Sequence, residues 1–65
     1  MTNNQLEAIA RSSMKKHGIV GDKLNEWAAI IVADVLADRA AFEEAYQTTD
    51  IETIVQQVAS DCVEN

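Results

Sequence analysis

The chain has 65 residues and one cysteine, which indicates a single domain, residues 1–65, whose core cannot be cross-linked by an internal disulfide. Eleven acidic residues against five basic ones give a net charge of −6, which repels nucleic acid and anionic membranes at long range. The sequence shows no apolar run long enough to span a bilayer and no signal-like segment near its start. We therefore expect a cytoplasmic protein that does not bind a membrane.

The first predicted helix covers residues from about 4 to 17. Apolar residues recur there at helical spacing, and Asn3 or Asn4 is positioned to cap the first turn. Gly18 predicts the end of this helix, because glycine readily adopts the left-handed conformation that closes a helix.

A much longer second helix is predicted from about residue 23 to residue 47, with Asp22 as its cap, because neither glycine nor proline interrupts that segment. Its length would be about 37 Å. A third helix is predicted from about residue 50 to residue 62, where the spacing of Thr49 and Glu52 matches a capping box. The expected fold class is therefore all-α, with three helices joined as antiparallel hairpins.

The long helix carries more apolar surface than two short helices can cover. Ile30 points nearly opposite to the main apolar stripe, and Leu36 points to its flank. Because soluble monomers rarely expose a large contiguous apolar surface, the pattern predicts a homodimer, intertwined or side by side, formed through the central helix. The alternative is a compact monomer whose second helix is bent or shorter. The residues predicted at the dimer or partner interface are Trp27, Ile30, Ile31, Leu36, Phe42 and Tyr46.

The sequence contains few side chains suited to catalysis. His17 and Cys62 lie at the far ends of different predicted helices, so the pattern does not bring a nucleophile and a base together. The histidine and cysteine spacings typical of zinc sites are missing, as are the alternating acidic loops typical of calcium sites. We therefore expect no enzymatic activity, no metal site and no cofactor.

The charged residues allow two opposite hypotheses about nucleic acid. Arg11, Lys15 and Lys16 form a small cationic corner that could contact an anion such as a phosphate. The net charge opposes such contact, and the helix dipole already explains lysines in the last turn. From Leu24 onward the sequence contains nine acidic residues and only one basic residue, Arg39. This excess of negative charge suggests a protein that imitates the charge of nucleic acid.

Together these observations favour a small acidic helical protein–protein interaction module without enzymatic activity, which dimerises and binds a protein partner. Two alternatives stay open. One is a nucleic-acid-mimicking inhibitor of a DNA-binding or DNA-processing protein, and the other is a nucleic-acid accessory that uses the cationic corner. In size, acidity and lack of catalytic side chains the chain resembles accessory proteins of bacteriophage and mobile elements, and this resemblance implies an accessory or regulatory role.

Overall fold

The computed structural model describes residues 2–64. This part of the chain is helical and contains no strand, which confirms the predicted all-α class. It forms four helices rather than the predicted three. They are α1 (Asn3–Lys16), α2 (Asp22–Ala37), α3 (Arg39–Tyr46) and α4 (Ile51–Glu64).

Both ends of α1 are closed by local hydrogen bonds. The Thr2 hydroxyl accepts a bond of 3.2 Å from the Gln5 N–H, and the Gln5 side chain accepts one of 2.8 Å from the Thr2 N–H. This capping box satisfies two free donors at once, so Thr2 is the cap and the prediction of Asn3 or Asn4 was wrong. At the other end Gly18 has φ +91°, and the Ile19 N–H donates to the Met14 carbonyl, as predicted for a glycine-terminated helix.

The predicted helix over residues 23–47 is wrong, because the chain leaves the helical conformation at Asp38 (φ −138°, ψ 49°). The Asp38 N–H donates to the Asp34 carbonyl, and the Asp38 carbonyl accepts from the Phe42 N–H, both at 3.3 Å. Few backbone bonds are therefore lost at the break. In return the change of direction places Phe42 and Tyr46 of α3 against the core. Packing thus outweighs the local preference for one continuous helix.

The predicted caps of the second and last helices were also wrong. Asp22 is the first residue of α2, and Gly21, at φ +86°, occupies the cap position without a side-chain bond. At α4 the cap is formed by Asp50, whose carboxylate accepts from the Glu52 N–H at 3.3 Å and the Thr53 hydroxyl at 2.8 Å. The expected Thr49–Glu52 pair fails because Asp50 directly precedes the helix and satisfies its first donors instead.

The hydrophobic core is built from α1, α2 and α4. Its buried members are Leu6, Ala10, Met14, Leu24, Ala28, Ile31, Val32, Val35, Ile54, Val55, Val58 and Ala59. Helix α3 contributes no buried residue and is attached through the partly buried Phe42 and Tyr46, whose rings stack with centroids 6.4 Å apart. Within residues 2–64, no helix is both long and apolar enough to cross a membrane.

Candidate interaction surface

The second half of α2 carries an exposed apolar strip, which is flanked by the exposed Asp34 on the side of Ile30. Ile30 is 53% exposed and Leu36 is 39% exposed. Exposed alanines recur between and beside them every fourth residue, which places the alanines in one row along the helix. We call this surface the alanine face; its residues are Ala29, Ile30, Ala33, Leu36 and Ala37.

The geometry of a helix fixes how the two large side chains flank the alanine row. Residues advance by about 100° each, so Ile30 and Leu36 lie about 60° to either side of the direction in which Ala33 points. Ala33 therefore lies at the centre of the face. A second helix could approach closely along the row while Ile30 and Leu36 packed against its sides.

An apolar groove borders the alanine face on the side of Ile30. It has a volume of about 310 Å³ and is lined by Trp27, Ile30, Ile31 and Cys62. Ile31 belongs to the core and is 5% exposed, whereas Cys62 is exposed. The groove thus extends the exposed apolar surface from α2 towards the end of α4.

The residues predicted to form the interface fall into two groups. Trp27, Ile30 and Ile31 meet at the groove, and Leu36 lies on the same helix. Phe42 and Tyr46 are on α3 and pack against the chain's own core. The structure therefore brings Trp27, Ile30 and Ile31 together at the groove and leaves Leu36 on the opposite flank of the alanine face. The two α3 aromatics pack within the chain, and the predicted interface stays a prediction.

A hydrogen bond between α3 and α4 brings together a second group of side chains, which are Tyr46, Gln57 and Asp61. The Tyr46 hydroxyl donates to the Asp61 Oδ2 atom at 2.8 Å, and the Gln57 side chain donates to Oδ1 at 3.2 Å. The bond to the Asp61 carboxylate raises the pKa of Tyr46, with burial and the negative charge acting in the same direction. Asp61 was not identified from the sequence, because its partner lies fifteen residues away and the contact depends on how α3 docks.

The cationic corner is partly neutralised by neighbouring acids. The Arg11 guanidinium lies 3.9 Å from the Glu7 carboxylate. Lys15 and Lys16 are exposed, and Lys16 lines a cavity of about 370 Å³ between α1 and α4 that Glu52 also lines. Contact of the cationic corner with an anion stays a prediction. The hypotheses of a nucleic-acid mimic and of a nucleic-acid accessory also stay predictions.

The remaining candidate side chains are dispersed. His17 caps the C-terminal end of α1 and Cys62 is near the end of α4; both are exposed. Asp34 is exposed and forms no ion pair within the described part of the chain. Residues 2–64 contain no group of three or more histidine, cysteine, aspartate or glutamate side chains placed to hold a metal ion.

No protein-family model matches the chain, and no curated protein or solved structure shows significant similarity to it. The features that bear on function are therefore the exposed apolar alanine face and the groove beside it.

Proposed function

We propose that this chain is a non-enzymatic interaction module that forms a homodimer through the alanine face of α2. The observation that carries the proposal is the exposure of Ile30 and Leu36 on either side of an alanine row. Covering the exposed parts of these two side chains would contribute roughly 1 kcal/mol each per copy. The adjacent groove offers further apolar surface to be covered.

The size of the domain gives dimerisation a second effect. A core in a chain of 65 residues supplies only about 3 to 5 kcal/mol of stability when no disulfide or metal supports it. Association of two folded copies adds to this value, because any binding that is restricted to the folded state favours folding. Dimerisation would therefore stabilise the module as well as create a two-fold assembly.

A protein partner, an accessory or regulatory role and a cytoplasmic location belong to the same proposal. The support for a protein partner is the net charge of −6, since this charge disfavours nucleic acid and anionic membranes as partners. In this proposal the dimer presents its charged outer surfaces, including the exposed Lys15 and Lys16, to the partner.

The proposal is tested by thermal unfolding at increasing protein concentration. The wild-type melting temperature should rise with concentration, whereas Ile30→Glu should remove that dependence by placing a charge on the alanine face. The matched control is Val20→Glu, because Val20 is 73% exposed and lies between α1 and α2. The control adds the same charge and should retain the concentration dependence.

Two results would count against the homodimer. A wild-type melting temperature independent of concentration would contradict it directly. Equal loss of the dependence in the Ile30 and Val20 variants would mean that added charge, rather than the alanine face, determines association. If Ile30→Glu does not fold, Ile30→Ala serves as the milder variant and should weaken the dependence.

A further inference from the structure

We infer that α3 is a lid, which opens as one unit from α2 and α4 while these two helices and α1 stay folded. This inference concerns a motion within one chain and does not depend on the proposed homodimer. The buried core residues all belong to α1, α2 and α4. Within residues 2–64, α3 packs on α2 and α4 and makes no contact with α1. The core therefore keeps its own contacts between helices when α3 leaves it.

Few interactions hold the lid closed. Phe42 and Tyr46 are its partly buried apolar residues, and the Tyr46 hydroxyl donates to the Asp61 carboxylate on α4 at 2.8 Å. The Arg39 guanidinium donates to the Thr49 carbonyl at 3.5 Å, but Thr49 lies in the segment that follows the lid rather than in a core helix. Opening the lid exposes much less apolar surface than unfolding the chain does, so it requires less free energy.

The chain is non-helical at both ends of the lid. Asp38 separates α2 from α3 with φ −138° and ψ 49°, and its side chain does not cap α3. Gln47 ends α3 at φ 56°, and residues 48–50 are not helical. The lid therefore moves without breaking a helix of the core. Because a helix of eight residues is at most marginally stable in water, α3 should lose its helical structure when it leaves the core.

Opening the lid gives the molecule a second state with the same core and a different apolar surface. Residues 38–50 become a flexible connection between α2 and α4. Such a connection is tolerated, because the entropic cost of closing a loop grows slowly with its length. The open state exposes the Phe42 and Tyr46 rings and the parts of α2 and α4 that they cover. The Tyr46–Asp61 hydrogen bond forms only in the closed state, so it controls the balance between the two states.

The inference is tested by hydrogen exchange of individual amides in the full chain under native conditions, measured by NMR at one low protein concentration. The amides of α3 should exchange about tenfold faster, or more, than the slowest amides of α1, α2 and α4, because lid opening is more frequent than global unfolding. Their exchange should also depend less on added urea, since opening exposes less surface than unfolding.

Two substitutions of similar expected cost separate lid opening from global unfolding. Ala8 is exposed within α1, where glycine should lower the folding equilibrium constant about fivefold. Because α1 is folded whether the lid is open or closed, Ala8→Gly should accelerate the slowest core amides by that factor and leave the α3 amides unchanged. Tyr46→Phe destabilises only the closed state, so it should accelerate both groups of amides about fivefold. Circular dichroism checks that both variants are folded.

The response of the α3 amides to the two substitutions decides the outcome. Acceleration by Tyr46→Phe without acceleration by Ala8→Gly supports the lid. Equal acceleration of α3 and core amides by Ala8→Gly would show that α3 unfolds only with the whole chain, and this would overturn the inference. If the α3 amides respond to neither substitution, α3 frays residue by residue instead of opening as a unit, which overturns the inference as well.

Discussion

Tyr46 and Asp61 join α3 to α4 through a hydrogen bond of 2.8 Å between the Tyr46 hydroxyl and the Asp61 carboxylate. Gln57, one turn before Asp61 on α4, donates to the other carboxylate oxygen and helps to orient it. Since α3 contains no buried residue, this bond and the packing of two partly buried aromatic rings hold α3 against the core. The position of α3 therefore depends on few interactions.

Removing the Tyr46 hydroxyl should destabilise the fold by a modest amount. Tyr46→Phe keeps the ring and loses the hydrogen bond, so we expect about 1 kcal/mol less stability, measured by urea unfolding. Asp61→Ala and the double variant complete a thermodynamic cycle, in which the two losses should be coupled. Strictly additive losses would show that the bond contributes nothing to stability.

The raised pKa of Tyr46 predicts a loss of stability in strongly alkaline solution. The folded chain favours the protonated hydroxyl, so its pKa lies above the usual tyrosine value of about 10. The resulting stabilisation is fully present below that usual value and is lost as the pH rises through the raised pKa. Tyr46 is the only tyrosine, so the tyrosinate absorbance of the folded chain reports this group alone.

The control for the alkaline prediction is Tyr46→Phe, which cannot ionise. Its stability should fall less steeply than that of the wild type above the usual tyrosine pKa, and the difference between the two profiles isolates the Tyr46 contribution. A tyrosinate titration that is identical in the folded and urea-unfolded chain would contradict the prediction.

Replacing Gln47 with glycine should stabilise the chain. Gln47 ends α3 in the left-handed conformation at φ 56°, which is unfavourable for a residue with a Cβ atom. We expect Gln47→Gly to gain about 0.5 to 1 kcal/mol in urea unfolding. Gln47→Ala is the matched control, since it shortens the side chain but keeps the Cβ atom. The prediction fails if alanine stabilises the chain as much as glycine does.

Truncation of a core residue and of an alanine-face residue should have different effects. Ile54 is fully buried, so Ile54→Ala should cost about 2 to 5 kcal/mol and unfold much of the protein at room temperature. Ile30→Ala should preserve the helical circular dichroism of the dilute chain, because Ile30 is half exposed. Its effect should appear as a weaker dependence of stability on concentration. Unfolding by both variants alike would show that Ile30 supports the monomer core.

The sequence was sufficient to predict the local structure at positions where a single residue determines it. Gly18 predicted the end of α1, because only a residue without a Cβ atom adopts its φ of +91° easily. Ile54, Val55 and Val58 recur at helical spacing, and this pattern matches the buried side of α4.

The break at Asp38 could not be predicted, because no glycine or proline marks it and its cause is the docking of α3 on distant parts of the chain. The Tyr46–Asp61 bond escaped prediction for the same reason, since it forms only after α3 has turned at Asp38. The exposure of Ile30 could be predicted from the sequence, because its angle on the helix excludes it from the main apolar stripe. Whether another molecule covers Ile30 depends on a surface outside this chain.

The most direct test of the homodimer is the mass of the wild-type chain in solution, measured by sedimentation equilibrium over a range of concentrations. The proposal predicts a mass that rises towards twice that of one chain as concentration increases, and no such rise for Ile30→Glu. A wild-type mass equal to one chain at every concentration, with the helical fold intact, would contradict it.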